Sequence, residues 1–564
     1  MPTRNDRWSG TSLPTLAVAV FAALPGLLAV PSLHVQTLVA AEPTTFEVTV
    51  RRRVEDPRGG AFRLVSERRS WRGDRLAVIV CDMWDTHHCK NAVDRVVEIA
   101  PRMNEVLKAA RRGGALIIHA PSSCMEPYEG HPARLRARAA PEAANLPPDI
   151  GSWCHQIPAE ERGKYPLDQS DGGCDTESAA QEAFRKQLIA GGRNPDAPWL
   201  RQVDVLEIED KDAITDSGVE VWNLLEERDI DDVLVLGVHT NMCVLGRPFG
   251  LRQLAKNGKR VVLVRDMTDT MYNPERWPRV SHFRGTDLVV EHIEKFVCPT
   301  VTSDQLIGGR PFVFAGDDRR DVVVAIAEPL YKTAETLPHA ADALWAAKGG
   351  LRVLVVEGDP SKHRLPRLAA ALEGAEALVL SVRRQALPPD DFAAIRDHLA
   401  AGKPLLALRT SSHAFAARGN GPQGHVEWPE FDAEVLGGNY HGHHADGPVA
   451  TITRANGAEH PILEGIEFPF ESRASLYKAS PLADDAIELL RGAIEGQPAE
   501  PVAWVRFHGK KRAPVFYTSL GHESDFASPA FQRLLENALA WALGHSGHSG
   551  QSRQSAQSGQ SAKE

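Results

Sequence analysis

The chain has 564 residues, more than one hydrophobic core organises, so two or three domains are expected. Its 43% hydrophobic and 24% charged residues exclude a disordered polymer. A net charge of −10, with both signs interspersed and no basic stripe among aromatics, excludes a nucleic-acid footprint.

The N-terminus reads as an export signal. Arg4 and Arg7 precede an apolar stretch from Leu13 to Val30, and Val39-Ala40-Ala41 offers a small-residue cleavage site after Ala41. This places the mature protein in a periplasmic or extracellular setting. An uncleaved anchor is the alternative, and no other segment reaches the length of a membrane span. Residues 42–73 form an N-terminal extension whose alternating pieces, FEVTV and AFRLV, predict an edge hairpin.

From residue 74 to about 305, strands and helices alternate. Apolar runs predict strands at Leu76–Val80, Ala115–His119, Val203–Ile208, Val233–Leu236 and Val261–Val264. Helical spacing covers Val93 to Arg112, Ser217 to Arg228 and Val244 to Asn257. Residues 121–200 are rich in Pro, Gly and charge and read as a long functional insertion. The alternation implies an α/β fold with a doubly wound parallel sheet, and a ligand site at the carboxyl ends of its strands. Asp82, His119 and Cys243 all follow strand ends there.

The pattern restarts from about 310 to 545. Strands are expected at Val322–Ala327, Leu351–Val356, Ala377–Leu380, Pro404–Leu408 and Val515–Thr518, with helices at Asp391–Ala401 and Ser528–Leu543. This is a second doubly wound domain. Residues 546–564 are a polar, disordered tail. The seven cysteines all lie before residue 299. Their odd number leaves at least one thiol unpaired, and no C-x-x-C pair suggests structural zinc.

The stretch VLVLGVHTNMCV, Val233 to Val244, carries the chemistry. It delivers Cys243 to a strand-to-helix turn, where unpaired N–H groups and the helix dipole favour a thiolate and stabilise an oxyanion. Asp82 is placed to take the thiol proton, and Lys211 to hold both charges. The competing readings are a structural thiol, a helix-capping aspartate and a solvent-exposed lysine.

With VIVCDMWD, the strand bearing His119, GVHTNMCV and VVLVRDMTDT, residues 74–300 resemble the isochorismatase-like cysteine hydrolases. The resemblance implies a triad of Asp82, Lys211 and Cys243. It also implies a cis peptide at Val238–His239 that aims backbone N–H groups at the oxyanion. Trp84, His119, Val238, His239, Asn241, Met242 and Tyr272 are the candidate substrate contacts, with Trp84 standing where the family has another aromatic or glutamine. The chemistry implied is cleavage of a small amide or imide C–N bond through a thioester. No cofactor is required. A divalent metal on Asp85, His87 and His88 is weighed against plain pocket-lining side chains. Homo-oligomers are common in that family.

Residues 311–545 resemble ThuA-like domains, which share the class I glutamine amidotransferase-like fold. The pieces that match are LVLSVRRQALPPDDF, KPLLALRTSSHAF, WPEFDAEVLGGNYHGHH and VFYTSLGHESDF. No cysteine follows Cys298, so cysteine-dependent glutaminase chemistry is excluded there. Ser411, or Thr410, with His522 is a candidate hydrolase-like pair. His413 and His443, with His441, His444 and His522, suggest a polar or metal-binding pocket. The resemblance implies a loose carbohydrate connection. The rival readings of the chain are a carbohydrate- or partner-binding protein without turnover, and a sugar-active enzyme acting through the ThuA-like domain.

Overall fold

The computed structural model describes residues 44–56, 62–419 and 421–545. The expected export signal and polar tail lie outside these residues. Among the described residues, no helix is long and apolar enough to cross a membrane.

The first lobe contains β1 (Thr45–Glu55), β2 (Phe62–Arg72), β3 (Leu76–Cys81), β4 (Leu116–Ala120), β5 (Ala213–Ile214), β6 (Asp232–Val238), β7 (Arg260–Asp269) and β8 (Thr300–Val301). They form one sheet in the order β2-β1-β8-β7-β6-β3-β4-β5. β3 to β8 run parallel, and the β1–β2 hairpin adds an antiparallel edge. β3 is buried along its whole length, as a central parallel strand covered on both faces must be. Ala77, Ile79 and Cys81 enter one apolar cluster, and Leu76, Val78 and Val80 enter the other.

The second lobe contains β9 (Asp321–Ala327), β10 (Arg352–Glu357), β11 (Ala377–Val382), β12 (Leu405–Leu408), β13 (Ala450–Arg454), β14 (Phe470–Ser472), β15 (Ile487–Ala493), β16 (Glu500–His508) and β17 (Ala513–Thr518). Their order is β10-β9-β11-β12-β17-β16-β15-β13-β14. The first five in that order are parallel. The rest form an antiparallel wing that the sequence reading did not anticipate. Both lobes are therefore α/β with a parallel core and antiparallel extensions.

Two elements differ from expectation. The strand expected at Val203–Ile208 is irregular: the Leu206 N–H closes a turn on the Val203 carbonyl, and the Asp212 N–H closes another on Glu209. The ladder beside β4 is made by β5 instead. The helix expected from Val244 to Asn257 is interrupted. A wide turn at Thr240–Val244 comes first, and a regular helix resumes only at Leu251–Lys256. Pro248, which has no N–H to donate, lies in the gap.

The β1–β2 hairpin is also a strut between the lobes. Arg53 on β1 contacts Glu294 at 3.1 Å and forks onto Asp342 at 2.6 and 2.7 Å. The helix Thr333–Ala341 packs on β2. The long insertion is stapled by a Cys89–Cys174 disulfide to the start of the helix Lys90–Arg112.

Candidate functional sites

Asp82 directly follows β3 with a positive φ of 48° and is fully buried. Cys243 lies in the turn after β6, downstream of a cis Val238–His239 peptide. The His239 carbonyl accepts the N–H groups of Met242 and Val244 at 3.0 and 3.2 Å. Thr240 Oγ1 donates to the Asp269 carbonyl at 2.9 Å, which fixes the turn against β7. The sequence folds this corner tightly because β3 and β6 are adjacent: a Cβ at Gly237 would stand 2.0 Å from the Cys81 carbonyl oxygen.

The Cys243 thiol lies beside the Asp82 carboxyl, close enough for each to act on the other's ionisation. Asp82 Oδ1 accepts the Ser122 N–H at 2.9 Å, and Oδ2 accepts Arg247 Nε at 2.9 Å. Arg247 lies over the Trp153 ring, 4.7 Å from its centroid, so its guanidinium is oriented from two sides. Burial raises the Asp82 pKa, and Arg247 opposes it. Burial and the Asp82 charge also push the Cys243 thiol well above its usual range. The expectation that the turn would yield a free thiolate is thus reversed. Desolvation outweighs the turn's N–H groups, and the thiol keeps its proton beside Asp82.

Lys211 is not part of this group. Its side chain is 66% exposed and pairs with Glu209 at 3.3 Å. Its neighbour Asp212 is the residue drawn inward, to Arg111 at 2.8 Å and His119 at 3.3 Å. The cation on Asp82 is Arg247, which the sequence reading missed. The available signal was its spacing: four residues after Cys243, on the same side of one turn.

The other candidates divide into pocket residues and braces. Trp84 stacks on Trp199 at 4.6 Å, and His87 tilts against His239 at 4.8 Å. Val238 is buried in the strand end, and Met242 packs beside the disulfide. Burial lowers the His239 pKa to about 4, so the ring is neutral, and its buried Nε2 has no partner. Three expected substrate contacts are braces instead. His119 bonds Gln202 at 3.0 Å and Asp212 at 3.3 Å. Asn241 clamps the Met271 backbone through both amide atoms, at 2.8 and 3.0 Å. The Tyr272 hydroxyl donates to the Arg276 carbonyl at 2.9 Å and accepts the Arg279 N–H at 3.0 Å. A cavity of about 560 Å³ opens beside the turn, lined by Trp153, Tyr165, Met242 and Gly246 among others.

Asp85 and His87, two of the three candidate metal ligands, are engaged by other groups. Asp85 accepts Arg193 at 2.9 Å and the Leu200 N–H at 3.1 Å, and His87 Nδ1 accepts the Cys89 N–H at 3.2 Å. Among the described residues, no group of three or more His, Cys, Asp or Glu is placed to hold an ion.

In the second lobe the corner after β12 presents Arg409 at φ 44°. Its guanidinium lies 4.1 Å from the Tyr331 ring centroid and 4.8 Å from that of Tyr477, and it donates to the Ser519 carbonyl at 2.9 Å. Ser411 and Thr410 are committed to β11: Ser411 Oγ donates to the Leu380 carbonyl at 2.9 Å, and Thr410 Oγ1 to that of Val382 at 3.0 Å. His522 Nδ1 pairs with Ser524 Oγ at 2.8 Å. The expected serine–histidine pair is therefore not formed, because each member is satisfied elsewhere. His413 stacks on Tyr440 at 4.5 Å. Its pKa falls to about 3 through burial and the nearby Arg384. His443 and His441 donate their Nδ1–H to the His444 and Asn439 carbonyls, each at 2.8 Å.

Residues 330–542 match the family model for ThuA, trehalose utilisation. The match begins inside the parallel half of the second sheet and takes in its whole antiparallel wing. No curated protein matches the chain. Among solved structures, a ThuA-like protein from Bacteroides uniformis ATCC 8492 is 16% identical, covering 42% of this chain and 95% of that one at a TM-score of 0.31. A cysteine hydrolase from Pseudomonas syringae pv. phaseolicola 1448A is 18% identical over 42% of this chain and 92% of that one, at 0.26. An isochorismatase family protein from Desulfovibrio vulgaris subsp. vulgaris str. Hildenborough is 15% identical over 40% and 94%, at 0.22. In the ThuA domain, Arg409 and the tyrosines around it are the residues that the sequence reading did not single out.

Proposed function

We propose that the chain is a hydrolase that cleaves a small amide or imide C–N bond through a thioester on Cys243. The observation that carries this reading is Asp82, buried beside the Cys243 thiol and held by Arg247 Nε at 2.9 Å. On attack, Sγ bonds the substrate carbonyl carbon and its proton passes to Asp82. Asp82 then protonates the departing nitrogen as the C–N bond breaks, and takes a proton from the water that hydrolyses the thioester. Arg247 opposes the burial that raises Asp82 and so favours the ionised form that a base in that position requires. Trp84, Trp199 and Met242 supply an apolar wall suited to a small, flat acyl group.

Intact-mass spectrometry during turnover of a panel of small amides and imides is expected to trap an acyl adduct on Cys243. Cys243→Ser should abolish both adduct and turnover, and unchanged turnover in that variant would sink the proposal. Export fits the same reading, because the Cys89–Cys174 disulfide belongs in an oxidising compartment. Edman sequencing of the secreted protein would test it, with a start after Ala41 expected and an intact Met1 in a soluble fraction refuting cleavage. The ThuA domain supports a second role in ligand binding, because an arginine occupies its corner after β12 and the adjacent hydroxyls are engaged.

A further inference from the structure

In the ThuA domain the parallel strands change direction of growth at β9: β10 lies on one side of it and β11 on the other. Open α/β sheets bind ligands in the crevice outside the carboxyl ends of strands at such a point. Tyr331 follows β9, Arg383 and Arg384 follow β11, and Arg409 to His413 follow β12. A cavity of about 560 Å³ lies among these ends, lined by Arg384, His413, Arg418, Asp432, Tyr440 and His443.

The charge in this crevice is one-sided. Many arginines elsewhere in the protein are matched by carboxylates, as Arg53, Arg95 and Arg252 are. Among the described residues, Arg383, Arg384, Arg409 and Arg418 have no carboxylate within ion-pair distance. Arg384 donates to the Ala416 carbonyl at 3.1 Å, but its buried Nε has no partner. All four act on His413, which burial and this field hold neutral. The one acid lining the cavity, Asp432, has one oxygen on the Tyr440 N–H at 2.7 Å and a second, buried oxygen without a partner. Unmatched guanidinium groups in a half-buried site are costly unless a ligand supplies the counter-charge, and their flat fork fits a carboxylate or phosphate.

The walls are amphipathic rings. Tyr440 stacks on His413 at 4.5 Å and touches Tyr477 at 4.7 Å. Such faces take the C–H side of a saturated ring, while the free Asp432 oxygen accepts a ligand hydroxyl.

We propose that this crevice binds a small hydroxylated anion: a monosaccharide-sized ring carrying a carboxylate or a phosphate. The anion sits on Arg384 and Arg418, the ring against Tyr440, and a hydroxyl on Asp432. The site is independent of Cys243.

Isothermal titration of the full chain at low salt tests this with four probes: glucuronate, glucose 6-phosphate, glucose and inorganic phosphate. At least one anionic sugar is expected to give saturable heat, with glucose and inorganic phosphate each at least tenfold weaker. The sugar acid and the sugar phosphate then identify which anion is preferred. Arg384→Ala, and separately the exposed Arg418→Ala, should each weaken binding at least tenfold. Cys243→Ser should leave it unchanged. Arg418 lies at the surface, so its replacement keeps the test valid if Arg384→Ala fails to fold. Equal binding of glucose and glucuronate, phosphate binding as tightly as either sugar, no heat from either anionic sugar, or full affinity in the Arg418 variant would each overturn the assignment.

Discussion

Replacing Arg247 by methionine separates the roles of Arg247 and Lys211. Asp82 is fully buried, and the charge of Arg247, at 2.9 Å, opposes that burial. Two unit charges about 4 Å apart at an effective dielectric near 20 interact by about 4 kcal/mol. The Arg247 side chain is 16% exposed, so solvent screens part of this, leaving roughly 2–3 kcal/mol or about 10²-fold in rate. The sign follows from the direction of the Asp82 shift. Burial already raises that carboxyl, so without Arg247 it rises further and carries a proton at neutral pH. A protonated Asp82 cannot accept the thiol proton. Turnover of Arg247→Met should therefore fall about 10²-fold near neutrality. The deficit should shrink as pH rises and Asp82 ionises again. Profiles of kcat/KM against pH, on an amide that the native protein turns over, read this directly. Lys211→Ala should stay within about twofold of the native protein at every pH, because Lys211 faces solvent beside Glu209. A native profile in Arg247→Met, or a tenfold loss in Lys211→Ala, would refute the assignment of the cation.

Asp82→Asn should move two readouts in opposite directions. Turnover should drop about 10²- to 10⁴-fold with loss of the base, while alkylation of Cys243 by iodoacetamide, followed by peptide mass spectrometry, should quicken because the charge that raises the thiol is gone. Slower alkylation would contradict the thiol–carboxylate pair. Glu160 gives an acid-stability test. Burial opposes its ionisation, but His292 and Arg252, each at 2.8 Å, outweigh that and hold its pKa at about 2 against an ordinary 4.5. A depressed carboxyl stabilises above its unfolded pKa and loses that contribution as pH falls, here between about 4.5 and about 2, for roughly 3 kcal/mol. Glu160→Gln should lower the urea midpoint at pH ~7 and converge on the native protein near pH ~2; an equal gap at both would rule the network out as the cause. Finally, Cys174→Ser opens a disulfide spanning 85 residues, a loop whose closure is worth on the order of 4–5 kcal/mol. The thermal midpoint should fall and become insensitive to reductant, and a native protein equally insensitive to reductant would show that the bridge does not contribute.

The strands were legible because each buried parallel strand is a short, uninterrupted apolar run, and β3, β6, β11 and β12 are of that kind. Asp82 and Cys243 were legible because they end two such runs, and β3 pairs with β6. Lys211 misled because the stretch before it, Val203–Ile208, reads as a strand, which would deliver Lys211 to the end of the sheet. The segment instead makes two tight turns, and the inward position falls to Asp212, held by Arg111. The antiparallel wing was harder, since its strands are half-exposed and carry charges such as Glu488 and Arg491. The cysteine pairing was closed to sequence altogether. Only the fold brings Cys89 and Cys174, 85 residues apart in the chain, to a Cα separation of 5.6 Å.

The two lobes put the same structural device to different uses. A residue that leaves a parallel strand at positive φ has its side chain aimed over the end of the sheet, and for a residue other than glycine this costs about 1–3 kcal/mol. In the first lobe that corner after β3 holds Asp82, whose carboxylate meets the Cys243 thiol from the adjacent strand. In the ThuA domain the corner after β12 holds Arg409. Its cost is offset by bonds to the Ser519 carbonyl and Ser475 Oγ, by the Tyr517 hydroxyl donating to its own carbonyl at 2.7 Å, and by the tyrosine rings over its guanidinium. A guanidinium so held can neither attack nor exchange a proton near neutral pH. It can set a fixed positive field at the sheet end, where an anionic ligand would settle. The first corner presents a group that moves a proton, and the second presents one that cannot. The proposed reaction chemistry therefore belongs to the first lobe, and the proposed recognition of a charged ligand to the second.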